Sequence, residues 1–298
     1  MSDLQARVSQ LWIYPVKSCG GVSVLSANLT ETGLEWDRAW MVVDAQGDFV
    51  SQREAPRMAL IEPKMRHLEM VLRAPGMLAL HVSLHEAEEP VQVTVWGETV
   101  KAYDMGALAG QWFTDFLSQT EEGRALGPLR LVRFDPEFQR ASSTKWTQGV
   151  QALNQFSDGY PLLVLSAAAL AEFNERLSAQ GLSPVDMARF RPNVVLSEVA
   201  AHTEDHAKAL TIVTDQRSVT LRPVKPCPRC SIPNVDPQTA ELQPQVSAVL
   251  ASYRQDARLE GAVTFGMNAI VTEGLVPADS DEPEAVLKVG QAVQVQVF

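Results

Sequence analysis

Cysteine is scarce in this chain: Cys19, Cys227 and Cys230 are the three thiols among 298 residues. Three is too few for a secreted disulfide scaffold, and the odd count points to a reducing compartment. Long apolar runs are missing too. The most apolar stretch, 162–171, is broken by Ser166 and falls far short of the roughly 20 residues a membrane-spanning helix needs. Residues 1–5 lead straight into strand-like sequence, so a secretory leader is not expected. A cytoplasmic location and no membrane partner are the expectations. Positive charge is in deficit, 25 basic against 36 acidic residues for a net of −11. Such a chain repels phosphate at long range, so nucleic acid is not an expected partner. Also absent are G-x-S-x-G, H-E-x-x-H and G-x-G-x-x-G, which removes the motif support for a serine hydrolase, a zincin or a dinucleotide enzyme. A thiolate-bound iron–sulfur cluster asks for four cysteines, so none is expected here.

What the chain does have is an ordinary globular composition, 46% hydrophobic and 20% charged, which excludes disorder as its main state. Residues 8–14 read as an opening strand, densest in strand formers from Leu11 and stopped by Pro15. Residues 40–44 form a second, turned through 45–48 into 49–51, and 91–95 alternate apolar and polar before Gly97. Leu108, Trp112, Phe113, Phe116 and Leu117 share one face at helical spacing. A further strand spans 129–134. The polar segment 137–152 marks the expected boundary between a first domain, 1–135, and a second, 136–298. Beyond it, 161–165 reads as a buried strand and Ser166 as the cap of a helix over 167–179. Strands are expected at 193–196, 210–213, 219–221, 269–271 and 293–297. Many short strands with few helices predict a mixed α+β, β-dominated fold of barrel-like sheets with flanking helices.

The segment 221–230, Leu-Arg-Pro-Val-Lys-Pro-Cys-Pro-Arg-Cys, carries the strongest chemical signal. Two thiols three residues apart suit a metal that accepts sulfur. Arg217, Arg222, Lys225 and Arg229 make 216–235 a positive island without one acidic residue; cations there lower thiol pKa and attract anions. The plain structural alternative is half-buried cysteines in a proline-stiffened loop. His202 and His206 could complete a zinc set with Cys227 and Cys230, although a polar surface beside Glu204 and Asp205 suits the two histidines better. A thioredoxin-type pair is disfavoured because Pro228 and Pro233 oppose a following helix. Two more segments stand out. Residues 14–21, Tyr-Pro-Val-Lys-Ser-Cys-Gly-Gly, offer an ammonium and backbone N–H groups to an anion without P-loop spacing. Arg189 and Arg191, ahead of Asn193, set two guanidinium groups at a strand entrance, either for a phosphate or as surface charge.

Taken in order, Tyr14-Pro15-Val16-Lys17-Ser18, Asp37-Arg38-Ala39-Trp40, Phe190-Arg191-Pro192-Asn193, Cys227-Pro228-Arg229-Cys230, Val235-Asp236-Pro237 and Ser252-Tyr253-Arg254 resemble a known family. It is that of the MOSC proteins (molybdenum cofactor sulfurase C-terminal domain) carrying an N-terminal β-barrel domain, to which the amidoxime reducing components belong. The resemblance implies an N-terminal barrel-like domain followed by a MOSC barrel that binds a molybdenum–molybdopterin cofactor. It implies that Cys230 is the protein's ligand to the metal and a catalytic residue, and that Cys227 is not a ligand. Lys17, Ser18, Arg38, Arg191, Asn193 and Arg229 would hold the pterin and its phosphate. Asp158, Gly159 and Tyr160 would lie beside the metal largely through backbone groups, with Asp158 counted as catalytic. Pro228 stands where relatives can have a hydroxyl residue, which removes one hydrogen bond. The implied activity is reduction of N-hydroxylated compounds (amidoximes, hydroxylamines, N-hydroxylated bases). Electrons would come from a separate protein, ferredoxin-like or cytochrome b5-like with its reductase. A non-catalytic carrier of the cofactor or of sulfur is the alternative.

Overall fold

A computed structural model describes residues 3–276 and 280–298. Its centre is a closed barrel. Around it run Leu162–Ser166, Val194–Ser197, Asp3–Ile13, Ala292–Val297, Ala207–Val213, Ser218–Pro228 and Ala262–Glu273, and the last pairs back onto the first. Closure leaves these seven strands without a free edge. The pairings are antiparallel apart from Leu162–Ser166 against Val194–Ser197, which are parallel and joined through the helix Ala167–Ala179. Alternating residues fill the interior, among them Val8, Leu210, Ile212, Val219, Leu221, Val293 and Val295, all buried.

Residues 40–134 build a second body. Trp40–Val43, Arg130–Phe134, Glu98–Asp104 and Pro90–Val95 form a four-stranded antiparallel sheet. A three-stranded sheet, Glu62–Met65, Glu69–Arg73 and Leu80–Ser83, shares a core with the helix Ala107–Leu117. Trp112, Phe113, Phe116 and Leu117 are buried on that helix, whereas Leu108, expected beside them, is 76% exposed. At helical spacing it falls outside the arc of Ala109, Gly110, Trp112, Phe113, Phe116 and Leu117 that is buried against the core. The result is the β-dominated α+β fold that the strand pattern predicts.

Hydrogen bonding crosses the expected division at 135/136. Asp3–Ile13 lies between Val194–Ser197 and Ala292–Val297 in the barrel, and Ala285–Lys288 pairs with Ser26–Thr30. Two local readings change as well. Ser166 precedes the helix but makes no capping bond; its Oγ accepts from the backbone N–H of His202 instead. The strand expected at 219–221 continues to Pro228 through three prolines, with register shifts between Pro223 and Lys225 and between Pro226 and Pro228. Proline cannot donate to a ladder, and a bulge beside it absorbs the missing bond. Among the described residues no helix is long and apolar enough to cross a membrane.

Candidate functional site

Pro15 ends the first strand, and the loop that follows is tied down at close range. Lys17 N–H donates to the Trp40 carbonyl at 2.8 Å and Gly20 N–H to that of Ile61 at 2.9 Å. A Cβ on Gly21 would lie 2.4 Å from the Tyr14 ring, so glycine is needed for the chain to pass that ring. Tyr14 is fully buried against two guanidinium groups, with the Arg38 and Arg191 carbons 4.4 and 4.2 Å from its ring centroid. Burial raises its phenol well above the ordinary range against the pull of both arginines.

Arg38 follows a buried Asp37, which accepts from Arg38 Nη1 at 2.6 Å and from the Tyr14 N–H at 2.8 Å. Arg38 Nη2 donates to the Arg191 carbonyl at 3.1 Å. Asn193 Oδ1 accepts from the Leu163 N–H at 3.0 Å while its Nδ2 donates to the Trp12 carbonyl, so this amide joins three barrel strands. Arg191 ends the short turn Met187–Phe190 in a left-handed conformation. Its Nη1 donates to the Cys19 carbonyl at 2.6 Å, and its Nη2 is buried with no acceptor among the described residues. Burial, then the Arg38 charge, bring Arg191 down to about 10. Ser18, Arg38 and Arg191 all have positive φ, at 66°, 52° and 57°. Backbone strain of this kind persists where the surroundings over-determine it, as they do in binding sites.

The bulged strand delivers Cys227, Pro228, Arg229 and Cys230 to the same place. Arg229 is pinned through its N–H to Val263 at 2.8 Å and through Nη2 to the Phe190 carbonyl at 2.9 Å. Its Nη1 donates to Cys227 Sγ at 3.1 Å, and its Nε is buried without a partner among the described residues. Cys227 is thus engaged as an acceptor, while Cys230 is exposed just beyond the strand.

Opposite lies the 157–160 turn. Lys17 Nζ, 8% exposed in its side chain, donates to the Phe156 carbonyl at 2.8 Å and to Asp158 Oδ1. Burial lowers the Lys17 pKa and Asp158 resists that shift. Desolvation in the cleft works against ionisation of Asp158, but the Lys17 charge and hydrogen bonds from Lys17 and Trp96 outweigh it and hold the carboxyl well below the carboxylate range. Lys17, Ser18, Arg38, Asp158, Gly159, Tyr160, Arg191, Asn193, Pro228, Arg229 and Cys230 all line one cleft. No residue of that expected set lies elsewhere.

Sequence reasoning left out four contributors. Tyr14 was visible as part of a motif, but its contact with two cations was not. Arg140, buried in the segment expected to be a polar boundary, donates through Nη1 to Asn154 Oδ1 and to the carbonyls of Gln155 and Ser157, clamping the loop that leads to Asp158. Phe49 and Arg53 also line the cleft, and nothing in their sequence surroundings marks them. The zinc alternative fails on geometry: among the described residues no three His, Cys, Asp or Glu side chains gather closely enough to hold a metal ion. Nor do both histidines share a polar surface. His206 is exposed, but His202 packs on Phe265 with ring centroids 5.7 Å apart, and Glu204 beside it is fully buried.

Two domain families cover this architecture. The MOSC N-terminal beta barrel domain matches residues 5–120 and the MOSC domain residues 152–294. Mitochondrial amidoxime reducing component 2 of Bos taurus is 34% identical over 256 residues, covering 83% of this chain and 72% of that protein. Mitochondrial amidoxime-reducing component 1 of Homo sapiens is 34% identical over 257 residues, with the same coverage of each. The molybdenum cofactor sulfurase of Bos taurus is 29% identical over 284 residues, 89% of this chain but 30% of that longer protein. With one cleft built from both halves and this similarity across most of its length, the chain belongs to the MOSC family of the amidoxime reducing components.

Proposed function

We propose that this protein reduces N-hydroxylated compounds, converting an amidoxime, two electrons and two protons into an amidine and water. The named activity of its relatives supports this reading. The observation that carries it is the convergence of Arg38, Arg191 and Arg229, two of them with unpartnered buried N–H groups, on the cleft that Cys230 borders. Unsatisfied guanidinium donors in a wall are costly until an anion accepts from them. A molybdopterin, with its phosphate and dithiolene, suits that donor set.

In this reading Cys230 supplies the thiolate to the metal. Arg38, Arg191, Arg229, Lys17, Ser18 and Asn193 hold the pterin and phosphate, with Pro228, Gly159 and Tyr160 beside them. The bound molybdenum centre supplies the two-electron chemistry that no side chain of this chain provides. Arg229 keeps Cys227 occupied, which leaves Cys230 as the available thiol. Asp158 stays ionised at neutral pH because Lys17 lies against it. It therefore serves as an acceptor that orients an amidoxime N–H or O–H rather than as a proton donor. Electrons come from a separate protein, ferredoxin-like or cytochrome b5-like with its reductase. The proposal includes a cytoplasmic location, which three free thiols support.

Elemental and pterin analysis of protein from a molybdenum-replete cell, followed by benzamidoxime reduction with an artificial reductant, tests this. One molybdenum per chain with turnover is expected. Molybdenum retained without turnover instead supports a cofactor carrier, and protein without molybdenum or pterin overturns both.

A further inference from the structure

Trp96 occupies the tip of the hairpin between Pro90–Val95 and Glu98–Asp104, where Val95 pairs with Glu98 across a two-residue turn. Its φ is +54° and that of Gly97 is +80°. Turns with two positive φ values favour asparagine followed by glycine, and a bulky residue in the left-handed region is an outlier. The indole is also 54% exposed, so core packing does not account for it. What it does is reach the cleft from the other half of the molecule. Its Nε1 donates to Asp158 Oδ1 at 3.1 Å, and its ring lies 5.0 Å from that of Phe49. The Arg53 guanidinium carbon stands 4.8 Å from the Trp96 centroid and 5.6 Å from that of Phe49. Phe49, Arg53 and Asp158 line the cleft.

We propose that Phe49, Arg53 and Asp158, held in place by Trp96, form a substrate shelf that selects planar, conjugated N-hydroxylated compounds, such as aryl amidoximes and N-hydroxylated heterocyclic bases, over aliphatic ones. The inference rests on the N-hydroxy reductase reading. A guanidinium supported on aromatic rings and a phenyl face both offer flat, polarisable surface to a conjugated ligand, while Asp158 accepts from the N-hydroxyamidine group. Trp96 is a positioning residue here: its ring supports Arg53 and its N–H fixes Asp158.

The test compares benzamidoxime with acetamidoxime on molybdenum-loaded wild type, Trp96→Asn, Trp96→Phe and Arg53→Ala. Asparagine removes the indole while giving the turn its preferred residue, so backbone strain cannot explain a loss. Wild type should favour benzamidoxime at least tenfold in kcat/KM. Trp96→Asn and Arg53→Ala should raise the benzamidoxime KM about tenfold with kcat within about twofold, and Trp96→Phe should recover part of the loss. Equal kcat/KM for both compounds in wild type overturns the proposal, as does unchanged selectivity in Trp96→Asn and Arg53→Ala. Loaded wild type that reduces neither compound overturns the reductase reading itself.

Discussion

The Arg191 guanidinium donates through Nη1 to the Cys19 carbonyl and leaves Nη2 without an acceptor, in a wall shared with Arg38 and Arg229. The first bond orients the side chain and the second donor remains for a ligand. The same division holds for the thiols. Cys227 accepts from Arg229 at 3.1 Å, whereas Cys230 is exposed. Cys230→Ser should therefore abolish molybdenum retention and turnover, because a hydroxyl is a far poorer soft-metal ligand. Cys227→Ser, whose hydroxyl can still accept from Arg229, should retain more than half of both; metal analysis and benzamidoxime kinetics on the two variants check this. Glu204 is a different case, outside the cleft and fully buried. Burial raises its carboxyl to about 7, with Ser166 hydrogen bonding pulling the other way. The folded state thus holds a proton that the unfolded state releases near the ordinary value of 4.5. From this group alone, stability is greatest below about pH 4.5, falls as pH rises towards 7, and stays lower above. Glu204→Gln should remove that decline and gain on the order of 3 kcal/mol at pH 8, since each pKa unit is worth about 1.4 kcal/mol. Denaturant unfolding at pH 5 and pH 8 reads the difference.

Single elements position the site through features that local rules discourage. Ser218–Pro228 carries prolines at 223, 226 and 228, past Leu221 where its pairing with Ala207–Val213 ends, and register shifts against Ala262–Glu273 lie beside them as the strand runs to the cleft. The proline-rich segment was legible as unusual and as cysteine-bearing. That it would remain in the ladder was not, because its pairing is with Ala262–Glu273, a partner some forty residues away. The 154–160 loop depends likewise on Arg140, whose side chain is 5% exposed and satisfies three oxygens on that loop through Nη1. Arg140→Ala should destabilise the fold by about 3 kcal/mol, because it strands buried acceptors and creates a cavity. Amide exchange at residues 154–160 should quicken together with that loss. Exchange unchanged in this loop would contradict the clamp.

The whole molecule is a barrel completed by its own first strand, with a second body that contributes Phe49, Ser51 and Arg53 to the cleft wall. Because Asp3–Ile13 separates Val194–Ser197 from Ala292–Val297, residues 136–298 alone leave the barrel open between two strands with unpaired edges. That fragment should show no cooperative thermal transition, and adding back residues 3–30 as a peptide should restore one; circular dichroism against temperature decides it. The sequence by itself marked the strands at 40–43, 91–95 and 130–134 and the helices at 107–117 and 167–179, because side-chain periodicity and breaker residues act over a few positions. It left Glu62–Met65, Glu69–Arg73, Leu80–Ser83 and the helix Gln245–Ala251 unmarked. It also determined the ordered motifs that mark the family, and which residues carry cationic and thiol chemistry. Only the tertiary structure decided that Lys17 meets Asp158 and that Arg38 meets Arg191, contacts spanning 141 and 153 residues. It likewise decided that Tyr14 packs against two guanidinium groups, that Arg140 is buried and that Trp96 reaches across to the other half. Those outcomes follow from barrel closure, which sets distant segments side by side by a balance of pairing and burial that no local window of residues contains.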